Sequence, residues 1–419
     1  MRIFSGVQLK FFILFFLSLA MARMVYADEE AIRKEIQELK KRIAELEEKL
    51  AQQDEKTKAV EEIKEVFEGF SIGGGATFVL QGTHNANNTS AKNEDVTDAS
   101  YSIDLEIEKE FKEIDGKAFM HLETGQGSGV EDELTLFSNV NYDANTDESL
   151  RISEVYYEQN LFDKRMVLTF GKLDPTVYLD TNSCANDETS QFLGRIFRNS
   201  PTIEFPDNSF GFRLNIAPVE FFDIEFEVLD ADADFEDAFD FLFLGTQLKF
   251  KPKLFGKEGN YRILGWLNDQ NHTKWEDYSK DKEENYGFGI SFDQELTDNL
   301  ACFLRYGWQN PEVYLTDSSF SLEQAWSIGL QIKGSLWRRE NDILGLAIGQ
   351  AIPSKDYKKA DPTREAEKES HFEAYYNIQI NEHLHISPDI QVIWNPYGDD
   401  VSERKDTITV FGSRIQVDF

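Results

Sequence analysis

From Phe70 to the last residue, Phe419, apolar and polar side chains alternate at every position, in stretches of about ten residues. The final stretch shows the rule: Phe411, Ser413, Ile415, Val417 and Phe419 fall on one side, and Gly412, Arg414, Gln416 and Asp418 on the other. Period two puts such sets on opposite faces of a strand. The connections alternate as well. Short ones fall near 112–116, 161–164, 218–220, 252–259, 294–299, 338–341 and 381–383. Longer acidic or Asn-rich ones fall near 83–99, 125–150, 174–207, 230–240, 269–283, 309–322, 351–370 and 395–405. A soluble sandwich buries its apolar face and keeps no such long–short rule. A membrane barrel turns the apolar face to lipid, lines its lumen with the polar one, and has short turns at its periplasmic end. The pattern therefore predicts an all-β protein, a transmembrane antiparallel β-barrel of about 16 strands over residues 69–419. Both chain ends fall on the short-turn side.

Ahead of the barrel, residues 1–27 have the form of an export signal peptide. Arg2 and Lys10 precede the apolar run 11–17, and Val25-Tyr26-Ala27 offers a cleavage site. The run is too short for a spanning helix, which needs roughly 20 apolar residues. Residues 28–68 read as a helix with a heptad seam. Ile32, Leu39 and Leu46 alternate with Ile36, Ile43 and Leu50, flanked by Lys40, Arg42, Glu47 and Lys49. At ~1.5 Å per residue the segment reaches roughly 60 Å. It is expected to be a periplasmic coiled coil that joins copies into a homo-oligomer or contacts the cell wall. A lone amphipathic helix against the barrel base is the plainer alternative.

Charge enters at one point. The formal net charge of −34 argues against nucleic-acid binding and suits loops among divalent cations at a cell surface. The acidic run Asp230, Asp232, Asp234, Glu236, Asp237 and Asp240 has the oxygen ligands Ca²⁺ or Mg²⁺ prefers. It lacks the glycine and bidentate glutamate of a dedicated loop and reads first as a solvated acidic loop, so no metal or cofactor is expected. Cys184 falls in a loop and Cys302 on the lipid side of a strand, so no disulfide is expected. Of the six histidines, His84 and His272 are placed in loops, His383 and His385 at a turn, and His121 and His371 in strands. No nucleophilic or metal-spaced motif accompanies them, and an enzyme is not expected.

Tyr101, Tyr261, Tyr286, Trp308, Trp326, Trp337 and Trp394 sit at strand ends, where interfacial rings belong. Inward positions are polar, among them Ser102, Asp104, Glu106, Glu108, Arg213, Asn215, Asp223, Glu225, Glu227, Gln247, Lys249, Gln331 and Lys333. Such a lining hydrates a channel. The longest connection, 174–207, is not built like a solvent loop. Phe192, Leu193, Ile196, Phe197, Ile203 and Phe205 give it apolar anchors. Asp180, Asn182, Asn186, Asp187, Gln191, Arg195, Arg198 and Glu204 lie between them, and with Arg213 and Arg305 of the wall they are the candidate constriction residues. A loop with that mix can fold into the barrel and narrow the pore. Amides, carboxylates and guanidinium groups beside aromatic rings suit a neutral polyhydroxylated solute.

The segments Asn186-Asp187-Glu188-Thr189-Ser190-Gln191-Phe192-Leu193, Asn199-Ser200-Pro201 and Glu204-Phe205-Pro206 resemble the carbohydrate-selective outer-membrane porin family of the OprB type. So do Leu304-Arg305-Tyr306-Gly307-Trp308, His371-Phe372-Glu373-Ala374-Tyr375-Tyr376, Ser387-Pro388-Asp389-Ile390-Gln391-Val392 and Asn395-Pro396. The resemblance implies a sixteen-stranded channel in the outer membrane of a diderm bacterium, passing sugars by facilitated diffusion. The heptad segment departs from the plainest members of that family. A general diffusion pore, or an outer-membrane-to-cell-wall tether acting through the coiled coil, are the alternatives to weigh.

Overall fold

The computed structural model describes residues 34, 36–46, 48–49, 67–88, 95–144, 148–254, 256–316, 318–401 and 405–419. The chain divides into two units, Met1–Glu68 and Gly69–Phe419. In the first, residues 36–46 are helical, with Ile36, Leu39 and Ile43 half-buried along one stripe and Leu46 exposed. The expected signal peptide, Ile32 of the heptad seam, the flanking Glu47, and residues 50–66 of the expected helix, Leu50 among them, lie outside the described residues.

The second unit is a barrel. Its first half comprises β1 (Phe70–His84), β2 (Asp95–Phe111), β3 (Gly116–Gln126), β4 (Arg151–Leu161), β5 (Met166–Leu173), β6 (Ser209–Val219), β7 (Phe222–Asp230) and β8 (Leu242–Phe250). After the two-residue β9 (Lys253–Leu254) come β10 (Lys257–Lys274), β11 (Glu283–Thr297) and β12 (Leu300–Gln309). The three-residue β13 (Val313–Leu315) precedes β14 (Leu322–Lys333), β15 (Ile343–Pro353), β16 (Glu369–Asn381), β17 (Leu384–Trp394) and β18 (Thr407–Asp418). The sixteen long strands pair antiparallel with their neighbours in chain order. The ring closes where β1 pairs β18, from Gly75 opposite Asp418 to His84 opposite Thr409. Beyond that register Gly74 and Phe419 exchange both backbone hydrogen bonds, at 3.1 and 2.9 Å. Closure is what lipid demands, because an open edge would leave N–H and C=O groups without partners.

The faces are inverted relative to a soluble protein. Leu80 is 56% exposed and Phe411 57%, whereas Gln81 and Gln391 are fully buried. Tyr101 shares the outward face with Phe78, and Tyr286 and Trp308 share it with Phe288. Cys184 and Cys302 are both free thiols.

Several strands run into connections expected from the sequence. Residues 269–274 continue β10, and β13 pairs with its end, His272 opposite Leu315 and Lys274 opposite Val313. The run Asn268-Asp269-Gln270-Asn271 looks like a loop because strand segments above the lipid face water and need no apolar side. His272 is therefore a strand residue, fully buried, rather than a loop histidine. At the other end, the register shift between Glu295 and Thr297 carries β11 through most of the expected 294–299 turn.

Candidate functional site

The connection between Leu173 and Ser209 makes two short helical turns, Pro175–Val177 and Arg195–Arg198. Asp174 opens the first, accepting from the Thr176 N–H at 2.8 Å. The apolar residues then enter two clusters. Phe192, Ile196 and Phe197 pack with Phe303, Ala347 and Tyr375, and Leu179 and Ile203 pack with Phe243, Leu264 and Trp266. These wall residues stand on the face opposite the lipid-directed side chains, so the loop is seated on the lumen side. Two glycines make room. A Cβ on Gly245 of β8 would overlap Leu179, and one on Gly307 of β12 would overlap the Ser200 and Thr202 hydroxyls.

Polar bonds fix the seat. Arg305 donates to the carbonyls of Phe197 and, at 2.8 Å, Asp180, and its Nε lies 3.2 Å from the Asp180 carboxylate. Glu373 accepts the N–H groups of Leu193 and Gly194 at 2.6 and 2.9 Å. Arg414 donates to the Glu188 carbonyl at 2.6 Å, and Asn377 to the Ser190 carbonyl at 3.0 Å. Burial pushes the Asp180 carboxyl up, and Arg305 and the Ser200 N–H pull it back.

A second loop is held the same way over its residues 127–144, which the sequence reading missed. Gln81 and Gln391 both donate to the Val140 carbonyl, at 2.9 and 2.8 Å, and Ser102 donates to Asp143 at 3.0 Å. Glu369 accepts from the N–H groups of Phe137 and Ser138, both at 2.9 Å. The two loops then join. The Tyr142 N–H donates to the Leu193 carbonyl at 2.8 Å, and the Arg195 N–H donates to Asn139 at 2.7 Å. The guanidinium groups of Arg195 and Arg198 stand 5.8 and 5.3 Å from the centre of the Tyr142 ring. Phe137 and Val140, apolar among acidic neighbours, are the signal that could have revealed this loop.

Across from the seated loops, β2 to β4 keep partly exposed side chains: Asp104, Glu106 and Glu108, then His121 and Glu123, then Tyr156 and Glu158. His121 lies 2.8 Å from Asp104, Lys117 lies 3.3 Å from Glu108, and Phe119 stacks on Tyr156 with centroids 4.9 Å apart. Arg213 pairs with Glu225 at 2.6 Å and covers the Tyr178 ring at 4.3 Å.

The candidate residues thus fall into distinct groups. Asp180, Asn186 and Arg305 meet in one buried knot, with Arg305 donating to Asn186 at 3.2 Å. Asn182 donates to Ser291 of β11 at 3.2 Å. Asp187 accepts from Thr189 at 2.7 Å and Ser190, and Gln191 bonds the Asn186 N–H at 2.7 Å and the Ser183 carbonyl at 3.1 Å. Arg198 pairs with Glu188 at 2.7 Å, and Glu204 sits 2.7 Å from His272 while also accepting from Asn268 at 2.9 Å. Arg195 and Arg213 retain exposure. Glu373, Arg414, Tyr142 and Asn139 were not singled out from the sequence, because their roles depend on partners up to hundreds of residues away.

Comparison with known proteins agrees with the barrel fold. The solved high-pH structure of Pseudomonas putida OprB is 16% identical with a TM-score of 0.72, over 84% of this chain and 95% of that one. The outer-membrane channel DcaP of Acinetobacter baumannii is 12% identical with a TM-score of 0.51, over 84% of this chain and 97% of that one. At such identities the likeness is one of fold. An uncharacterised protein of Aquifex aeolicus (strain VF5) is 29% identical over 151 residues, which are 36% of this chain and 42% of that protein. The chain therefore spans less than half the length of that relative. A family model described as carbohydrate-selective porin, OprB family, matches residues 88–419, taking in β2 to β18 and both seated loops, and the chain belongs to that family.

Proposed function

We propose that the protein carries sugars and similar small hydrophilic solutes across the outer membrane by facilitated diffusion, with loop 174–207 as the constriction. The observation that carries this reading is the seating of that loop on the polar face of β8, β11, β12, β16 and β18. The passage then runs between the loop and the wall of β2 to β7. Asp180, Asn182, Asn186, Asp187, Gln191, Arg305 and Glu204 hold the constriction in place. Arg198, buried against Glu188, helps hold it, while Arg195 and Arg213, each beside a tyrosine ring, meet the solute. Paired guanidinium and carboxylate groups donate to and accept from sugar hydroxyls, while ring faces meet C–H surfaces.

Residues 1–27 direct export, 28–68 form the periplasmic coiled coil that sets a homo-oligomer, and 69–419 form the porin domain. The exposed Leu46 and the stripe Ile36, Leu39 and Ile43 support pairing between copies. Single-channel current in a planar bilayer, with titration of neutral sugars, tests the solute assignment. Ohmic current blocked at millimolar sugar, and not by amino acids or phosphate, is expected. Current indifferent to every sugar would make the protein a general diffusion pore, and no current would leave the tether.

A further inference from the structure

At the long-loop end of β7 the chain reads Asp230-Ala231-Asp232-Ala233-Asp234. Carboxylate oxygens from Asp230, Asp232 and Asp234 all lie within 4.8 Å of one another. Proximity of acids at a surface is common and means little alone. Here, however, Asp230 is fully buried, at 0% exposure. Its Oδ1 accepts from the Phe239 N–H at 2.8 Å, and its Oδ2 is enclosed with no protein partner. Oδ1 of Asp232 is likewise enclosed and unpartnered. Among the described residues no lysine or arginine pairs with any of the three.

A fully buried carboxylate with an unpartnered oxygen, close to two further carboxylates and given no cation by the protein, is the arrangement a bound cation relieves. Oxygen-only ligands exclude a thiophilic metal and select a hard one. Acidic ligands at alternate positions match the first, third and fifth places of an EF-hand loop. That loop needs glycine at its sixth place for a sharp turn. Here Phe235 holds the position with φ 63°, so the turn is made without glycine. The bidentate glutamate at the twelfth place is absent, which caps the affinity. We propose that Asp230, Asp232 and Asp234 form a divalent-cation site, preferring Ca²⁺, at the exterior end of the β7–β8 hairpin. Its affinity belongs with extracellular modules, roughly 10⁻⁴–10⁻³ M. Mg²⁺, which holds its waters tightly and demands a near-octahedral shell, binds more weakly.

The test uses the full chain purified in detergent, stripped with chelator and titrated calorimetrically with CaCl₂ and then with MgCl₂. Asp232→Asn and Asp234→Asn are the variants of choice, since both side chains are at least partly exposed and heat-modifiable gel mobility confirms that the barrel is intact. One saturable Ca²⁺ event per chain is expected, weakened roughly tenfold or more in each variant. A wild-type isotherm with no saturable event, or one that neither variant changes, overturns the proposal. The site is independent of the solute, so a channel indifferent to sugar would not bear on it.

Discussion

Arg305 illustrates how one side chain can decide where a loop lies. Its side chain is 1% exposed and takes four loop groups at once, the carbonyls of Asp180 and Phe197, the Asp180 carboxylate and the Asn186 amide oxygen. Arg305→Met keeps the stem and removes the charge, leaving Asp180 buried without its cation. Loss of one partner from such a pair costs about 3–5 kcal/mol. We expect a lower urea midpoint and a larger, noisier single-channel conductance, with Asp180→Asn in the same chain restoring much of the stability. Glu131 offers a second test, on pH. Enclosure raises its carboxyl from 4.5 to about 7, with the Val140 and Asn141 N–H groups pulling the other way. The folded loop therefore keeps a proton that the opened loop has already released. Ordering from this group is full below about pH 4.5 and declines as pH rises toward 7. Hydrogen exchange at Val140, corrected for intrinsic rates, should show protection falling across that window, and Glu131→Gln should flatten the curve. Residue types at such sites are legible in sequence, as Asp180 and Arg305 were. Their pairing is not, because it spans more than a hundred positions of chain.

Elements were more legible than contacts, because a strand between lipid and water must alternate throughout its length. That constraint relaxes above the membrane, which is why the end of β10 and the short β13 read as loops. Loop 174–207 announced itself through Phe192, Ile196 and Phe197. Loop 127–150 did not, since its few apolar residues are diluted by acids and its hold comes from Gln81, Gln391 and Glu369 on distant strands. The seats on the wall are equally silent in sequence, because a glycine in a strand says only that something approaches. Gly307→Leu tests what approaches. The added side chain collides with Ser200 and Thr202 and must lift the loop or distort β12. Overpacking of this kind costs about 1–3 kcal/mol. We expect an inserted, heat-modifiable barrel with raised conductance and weakened sugar block. An unchanged conductance would mean that the loop does not narrow the passage.

At the scale of the whole molecule each of the two units carries a prediction of its own. If residues 28–68 only join copies, deleting them should leave conductance per channel intact and shift the detergent-solubilised species to lower mass by light scattering. The charge of the tube makes a sharper prediction. Loop 174–207 is held by ion pairs, Arg198 with Glu188 within it and Arg305 of β12 with Asp180. The lumen face of β2 to β4 keeps an acid in surplus: Asp104, Glu108, Glu123 and Glu158 are set against His121, Lys117, Arg151 and Arg213, and Glu106 stands beside them. Glu106 is exposed within the lumen and has no salt-bridge partner among the described residues. A neutral sugar is indifferent to this surplus, but a small ion is not, because field lines in a narrow low-dielectric tube reach across it. In a KCl gradient the reversal potential should therefore show K⁺ preferred over Cl⁻. Glu106→Gln should move it toward zero while leaving sugar block in place, since the substitution changes charge on the open wall and touches no loop contact. High salt should shrink the preference as the Debye length falls to about 3 Å at 1 M. A preference for Cl⁻ would mean that the passage lies elsewhere, along the arginines rather than the acidic wall.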